Sequence, residues 1–340
     1  MKTASATTWG ILAATVACLA IVPNLNAGEK SRVEIFAPGV ISGPAGDVAP
    51  TFSPDCRTVY FTVGNSADAI VLVSQFDGKA WMRPRIADFS GRWQDLESTL
   101  SPDGSYMIFA SNRPAQDSGK PLRADYEGRN QDGGNLWRVD HRGPGWSSPV
   151  RLPDTINSSS AVFTPSIARD NTLYFMKASP VTGRFQIYRS QFQGGTYQAP
   201  RQLPFSDEQW DNVDPTVAPD ESFLVFASNR PPTAPSDLDL FVVFRQNGEW
   251  GVPEHLEQPI NGPTREIEPR LAPDGHTLFF SSRRVLTGEF PRTQAEGLRT
   301  LERLEKWDNG ANNIWRADLS QWFDTTNHRS MGGNTGCRVP

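Results

Sequence analysis

Glu97, Asp214 and Glu268 occupy one position of a recurring sequence pattern, each six residues before the aspartate of a short turn: Asp103, Asp220 and Asp274. The matching places before Asp55 and Asp170 hold Ala49 and Thr164. Eight residues before the five turn aspartates stand Asp47, Asp95, Val162, Asn212 and Glu266, and ten after three of them stand Arg113, Arg230 and Arg284. Guanidinium groups offer planar paired donors and carboxylates accept from hydroxyls and amines, which suits a polar site for a peptide or glycan. The same recurrence suits ion pairs that fasten one repeat to the next. It also supplies the opposed carboxylates of a glycoside hydrolase. Equivalent repeat positions weaken that third reading, because a catalytic acid and base need unlike surroundings to separate their pKa values. Glu97, Asp214, Glu268, Arg113, Arg230 and Arg284 are therefore expected to bind ligand, and no catalytic residue is assigned.

Other chemistries find little support. His141, His255, His276 and His328 are scattered without metal-ligand spacing, and no cysteine pair forms a zinc motif. Nucleophile elbow, phosphate loop and metalloprotease signatures are absent. Asp211-Asn212-Val213-Asp214 and Asp308-Asn309-Gly310 are oxygen-rich, but without an EF-hand pattern they read as solvated turns. No metal or cofactor is expected. A net charge of −5 argues against nucleic acid or an anionic membrane as the main partner.

The elements that must position these groups follow from the turns. Thr51-Phe52-Ser53-Pro54-Asp55, Thr99 to Gly104, Ser166 to Asp170, Thr216 to Asp220 and Arg270 to Gly275 each run from an apolar stretch into a corner. A run rich in aromatic and β-branched residues follows each corner, such as Val59-Tyr60-Phe61 or Leu278-Phe279-Phe280. Strand, tight turn and antiparallel strand are implied. Successive corner aspartates lie 48, 67, 50 and 54 residues apart (55 to 103 to 170 to 220 to 274). That is the size of a propeller blade. A third strand and a second turn follow, and Pro84, Pro149, Pro200 and Pro253 then place the fourth strand at the outer edge. The segment from Arg32 to Ile41 looks like a fourth strand without a blade, while the last repeat lacks one. An all-β, five-bladed propeller of four-stranded antiparallel blades is expected, closed by the N-terminal strand completing the last blade; six blades fit the length less well.

The Ser-Pro-Asp-Gly corner followed by Phe-Ala-Ser-Asn-Arg resembles the WD40-like (PD40) repeat of TolB-type periplasmic propellers over nearly the whole chain after residue 27. Arg169 departs from it by replacing the proline, and the additional N-terminal domain and sixth blade of TolB have no counterpart here. The resemblance implies the repeat type rather than a role in the Tol system.

Residues 1–27 read as a signal peptide, with Lys2 before an apolar run and Leu25-Asn26-Ala27 as the cleavage approach; 28–323 form the propeller and 324–340 a tail. No later stretch is long enough for a membrane span. A periplasmic or secreted monomer is expected, non-enzymatic, acting on an envelope protein, peptide or glycan. Two insertions share the face of the acids: Pro114 to Gly134, read as an irregular charged flap, and Arg292 to Trp307, whose Leu298, Leu301, Leu304 and Trp307 predict an amphipathic helix. Cys18 leaves with the leader. Cys56, at a turn position next to the closure seam, and Cys337, in a tail starting on the same face, are expected to form a disulfide.

Overall fold

The structure, a computed structural model, describes residues 32–65, 68–116, 119–126, 128–324 and 336–340. The expected signal peptide and residues 325–335 of the tail lie outside the described residues.

Each copy of the turn builds one antiparallel blade. Blade 1 consists of Asp47–Phe52, Thr58–Asn65, Asp68–Gln75 and Arg85–Ile86, from the channel outward. Blade 2 consists of Asp95–Leu100, Tyr106–Ser111, Asn135–Arg142 and Val150–Arg151, blade 3 of Val162–Ile167, Leu173–Ala178, Phe185–Ser190 and Arg201–Gln202. Blade 4 consists of Asn212–Val217, Phe223–Ser228, Asp239–Gln246 and Glu254–His255. Blade 5 takes Glu266–Leu271, Thr277–Ser282 and Asn313–Asp318 from its own repeat and Glu34–Ile35 from the N-terminal side. Glu34 pairs with Arg316 and Ile35 with Trp315, so the ring closes by strand exchange.

The repeated residues have local reasons. All five corner aspartates accept a backbone N–H two residues on: Arg57, Ser105, Thr172, Ser222 and His276, at 2.9–3.1 Å. This side-chain turn survives in blade 3, where Arg169 has replaced proline, because the aspartate carries it. Pro84, Pro149, Pro200 and Pro253 come immediately before the outer strands, which are two residues long. A hydroxyl or amide then ties each outer segment back to the third strand: Ser42, Ser90, Asn157, Ser206 and Asn261 accept from Ile314, Val71, Leu136, Ile187 and Leu240.

At the closure seam Phe279 of blade 5 and Phe52 of blade 1 lie 4.6 Å apart, with Phe36 against both. The tail packs over this cluster. Cys56 and Cys337 are bonded at 2.02 Å, and Val339 is buried in the same cluster. In the chain-entropy model a bridge spanning 281 residues contributes on the order of 5 kcal/mol, an upper limit for so long a loop.

On the turn face a polar network joins blades 3 and 4. Glu221 accepts from the Tyr174 hydroxyl, from Arg189 Nε at 2.8 Å and Nη2 at 3.1 Å, and from Arg245 Nη1 at 2.8 Å. Burial works against its charge, but the bonds from Arg189 and Tyr174 outweigh it and hold the carboxyl below its ordinary value.

The first insertion is a hairpin where an irregular flap was expected, and the second holds the expected helix. Within the first, Arg123–Tyr126 pairs with Arg129–Asp132 as a hairpin, braced by a 2.5 Å Arg123–Asp132 ion pair. The second contains the helix Gln294–Lys306, whose Thr293 and Glu296 form a reciprocal cap. None of its residues is buried, and Leu298 is 58 % exposed. Among the described residues, no helix is long and apolar enough to cross a membrane.

Candidate functional site

The acids meet because of a bulge written into every innermost strand. Pairing with the second strand slips between Val48 and Thr51, Leu96 and Thr99, Phe163 and Ser166, Val213 and Thr216, and Ile267 and Arg270. Inside each slip one residue is left-handed: Ala49 at φ 52°, Glu97 at 54°, Thr164 at 43°, Asp214 at 55° and Glu268 at 52°. Such conformations cost non-glycine residues of order 1–3 kcal/mol, and a β-branched threonine most of all. The bulge removes these side chains from the strand's alternation and re-aims them. Carboxylate oxygens of Glu97, Asp214 and Glu268, from blades 2, 4 and 5, thereby come within 4.8 Å of one another.

Neighbouring blades hand hydrogen bonds around this centre. Thr164 donates its N–H to Glu97 Oε2 at 2.7 Å and its hydroxyl to Asp214 Oδ1 at 3.2 Å. Glu268 donates its N–H to Asp214 Oδ2 at 3.1 Å, and Arg270 Nη2 reaches Glu268 Oε2 at 3.0 Å. Arg270 is buried and its Nε has no partner. One guanidinium thus faces three carboxylates. Burial and the charge of Asp214 lift Glu97 to about 7. Burial also raises Asp214, against the pull of Arg270, and Glu268 is pushed well above its ordinary value by burial, Asp214 and Glu97.

A cavity of about 530 Å³ opens beside the triad, with Glu97, Glu268, Val48, Thr62, Arg283 and Asn312 on its walls. It lies toward blade 1, where Ala49 takes the place of an acid. On the turn face, Arg270 lines a second space of about 210 Å³. Three carboxylates offer an all-oxygen donor set of the kind hard divalent cations use, though Arg270 already competes for Glu268.

Arg113, Arg230 and Arg284 are placed elsewhere. Arg113 Nη2 meets Asp95 at 2.5 Å and the Phe89 carbonyl at 3.3 Å; Arg230 Nη2 meets Asn212 and the Phe205 carbonyl; Arg284 Nη2 meets Glu266 at 2.9 Å and the Ile260 carbonyl at 2.5 Å. Each guanidinium also lies 5.0–5.6 Å from the centroids of two rings: Phe109 and Trp137, Phe226 and Phe241, or Phe280 and Trp315. They tie the incoming connection of each blade to its second strand.

Arg270 is the central residue that the sequence reading passed over. Four residues before the other corner aspartates stand Thr51, Thr99, Ser166 and Thr216. Three of those hydroxyls accept from the next blade's backbone, at Leu100, Val217 and Leu271. An arginine in a column of hydroxyls was the available signal.

No protein-family model matches the chain, and no curated protein matches it. Solved structures with a similar arrangement include TolB from Acinetobacter baumannii, at 13% identity and TM-score 0.45 over 81% of this chain and 54% of that one. A protein from Dyadobacter fermentans aligns at 11% identity and TM-score 0.47 over 84% and 99%. A thermostable family-43 glycoside hydrolase aligns at 12% identity and TM-score 0.48 over 73% and 86%. This chain spans about half the length of the Acinetobacter protein, and all three likenesses are distant ones.

Proposed function

We propose that the chain is an exported propeller that acts as a binding module in the cell envelope, and that its ligand is a peptide or glycan presenting a positively charged group to Glu97, Asp214 and Glu268. The observation that carries this is the excess of three buried carboxylates over the guanidiniums that act on them, Arg270 bonded to Glu268 and Arg265 acting on Asp214, beside a cavity large enough for a side chain or sugar. A lysine, arginine or amino-sugar cation entering there exchanges its hydration for charge-assisted hydrogen bonds. Arg113, Arg230 and Arg284 hold the frame around that mouth. The Cys56–Cys337 bridge fits an oxidising compartment.

Titration calorimetry with lysine- and arginine-containing peptides and with glucosamine oligomers, against acetylated controls, tests this. Binding of a cationic member, with at least tenfold loss in Asp214→Asn, is the expected result; equal binding of the acetylated controls overturns it. A glycosidase is the second reading, favoured by Glu97 lying near 7, where a carboxyl retains a proton to donate. Hydrolysis of any glycan in a broad panel, abolished by Glu97→Gln, would replace the binding reading by that one.

A further inference from the structure

Blade 1 retains a socket for a guanidinium and has no arginine to fill it. In blades 2 and 5 the socket has four parts: the acid eight residues before the corner, a main-chain carbonyl about fourteen before it, a ring six after it, and a second ring on the third strand. Blade 4 uses Asn212 for the acid. Blade 3 has lost both members of the pair, with Val162 and Pro180 in the two places. Blade 1 has Asp47 at the acid position, but Asn65 where the arginine would stand. Its chain also departs in geometry there. The second strand continues to Asn65 and turns directly into the third, with Gly64 paired to Ala69, whereas the second strand of blade 2 stops at Ser111 and leads into a long connection.

Three of the socket's four parts are in place, and Leu72 stands where the second ring would be. Gly43 donates its N–H to Asp47 Oδ2 at 2.6 Å, as Gly262 donates to Glu266 Oε2 at 3.0 Å in blade 5. Phe61 is the counterpart of Phe109 and Phe280, and Leu72, opposite Phe61, occupies the register of Trp137 and Trp315. Val40 and Ile41 stand at the places of Pro259 and Ile260, whose carbonyls receive Arg284. Where the guanidinium would lie there is instead a cavity of about 380 Å³, walled by Val40, Ile41, Asp47, Phe61, Leu72 and Trp81. Asp47 is 3 % exposed and no cation lies in ion-pairing distance among the described residues. Arg83 is the one other charged residue on the cavity wall.

We propose that this cavity is a second binding site, distinct from the acid triad, that takes a small organic cation with an apolar stem, such as an alkylguanidinium or alkylammonium group. The cation's head occupies the place that Arg113 and Arg284 fill in their own blades, against Asp47 and the neighbouring carbonyls. The head lies by the Phe61 ring, as the Arg113 and Arg284 guanidiniums lie over Phe109 and Phe280, and the stem lies along Leu72 and Trp81. Burial lifts the Asp47 carboxyl to about 7, against the Gly43 hydrogen bond, so a cation that restores its charge compensates a group the fold leaves costly to ionise.

Calorimetry and tryptophan emission at pH 8 with n-butylguanidinium, against the uncharged isostere n-butylurea, test the assignment. Saturable butylguanidinium binding is expected, at least tenfold tighter than butylurea, with the emission change lost in Trp81→Phe. Asp47→Asn, a substitution blade 4 already accommodates at Asn212, should weaken the binding read by the Trp81 emission change tenfold or more. Equal affinity for butylurea, or no saturation at tens of millimolar, overturns the proposal in the wild-type protein alone. Binding lost in Glu97→Gln but retained in Asp47→Asn overturns it in favour of the triad, whose own test uses peptides and amino sugars.

Discussion

Two acid networks join blades of this ring, and they are built on opposite charge ratios. On the turn face Glu221 is one carboxylate between two guanidiniums and a phenol, and its carboxyl is held below the ordinary glutamate value. At the opposite mouth three carboxylates share Arg270, and all three are raised. A network that needs only to fasten strands is served by the first ratio, because every buried charge finds its partner. In the second the acids outnumber the guanidiniums that act on them, Arg270 and, at Asp214, Arg265. That mouth is therefore the place where a cation, or a proton, is worth most.

The largest expected effect follows from removing the guanidinium bonded within the triad. Arg270→Leu should cost about 3–5 kcal/mol at pH 8, the range for breaking a buried ion pair, and less at pH 5, below the value of about 7 to which Glu97 is lifted. Urea unfolding at both pH values measures it, and an equal loss at each would show that the arginine does not balance the carboxylates. Glu221→Gln should cost about 2–3 kcal/mol at neutral pH. A carboxyl with a lowered folded pKa contributes stability above its unfolded value and loses it as pH falls, so this deficit should narrow in acid. A deficit independent of pH would mean that shape, not charge, matters at Glu221.

The smallest effect has the opposite sign. Glu97 rises from 4.5 to about 7 on folding, so between those values the folded state holds more protons than the unfolded state. Stability contributed by this group is present below its unfolded value and is lost as pH rises through 7. Glu97→Gln should therefore raise stability by about 1–2 kcal/mol at pH 8 and little at pH 5, in thermal melts across that range. A melt that falls equally at both values would place no net penalty on the charge.

The ring was legible because its punctuation is local: an aspartate that caps its own turn and a proline just before four of the five outer strands act within a few residues. The closing strand was legible by subtraction, one strand missing at one end and spare at the other. The direction of side chains was not. Nothing in the repeat column holding Glu97 announces a left-handed residue, and that backbone turn is what brings the triad together. The arginines ten residues past three of the corners share a face with the acids, yet their heads turn toward Asp95, Asn212 and Glu266. The leucines of Gln294–Lys306 have helical spacing, but spacing alone does not say whether anything covers them.

Ring closure also sets an order of events. Four blades and most of the fifth are made of contacts between neighbouring stretches of chain, so each can form as soon as its own repeat and the previous one are available. The seam cannot. Glu34 waits for Arg316 and Cys56 for Cys337, partners separated by most of the polypeptide. Until the last repeat arrives, the first blade presents an uncovered apolar flank of Phe52 and Phe61, and the chain's exposure to aggregation or proteolysis during folding is concentrated there.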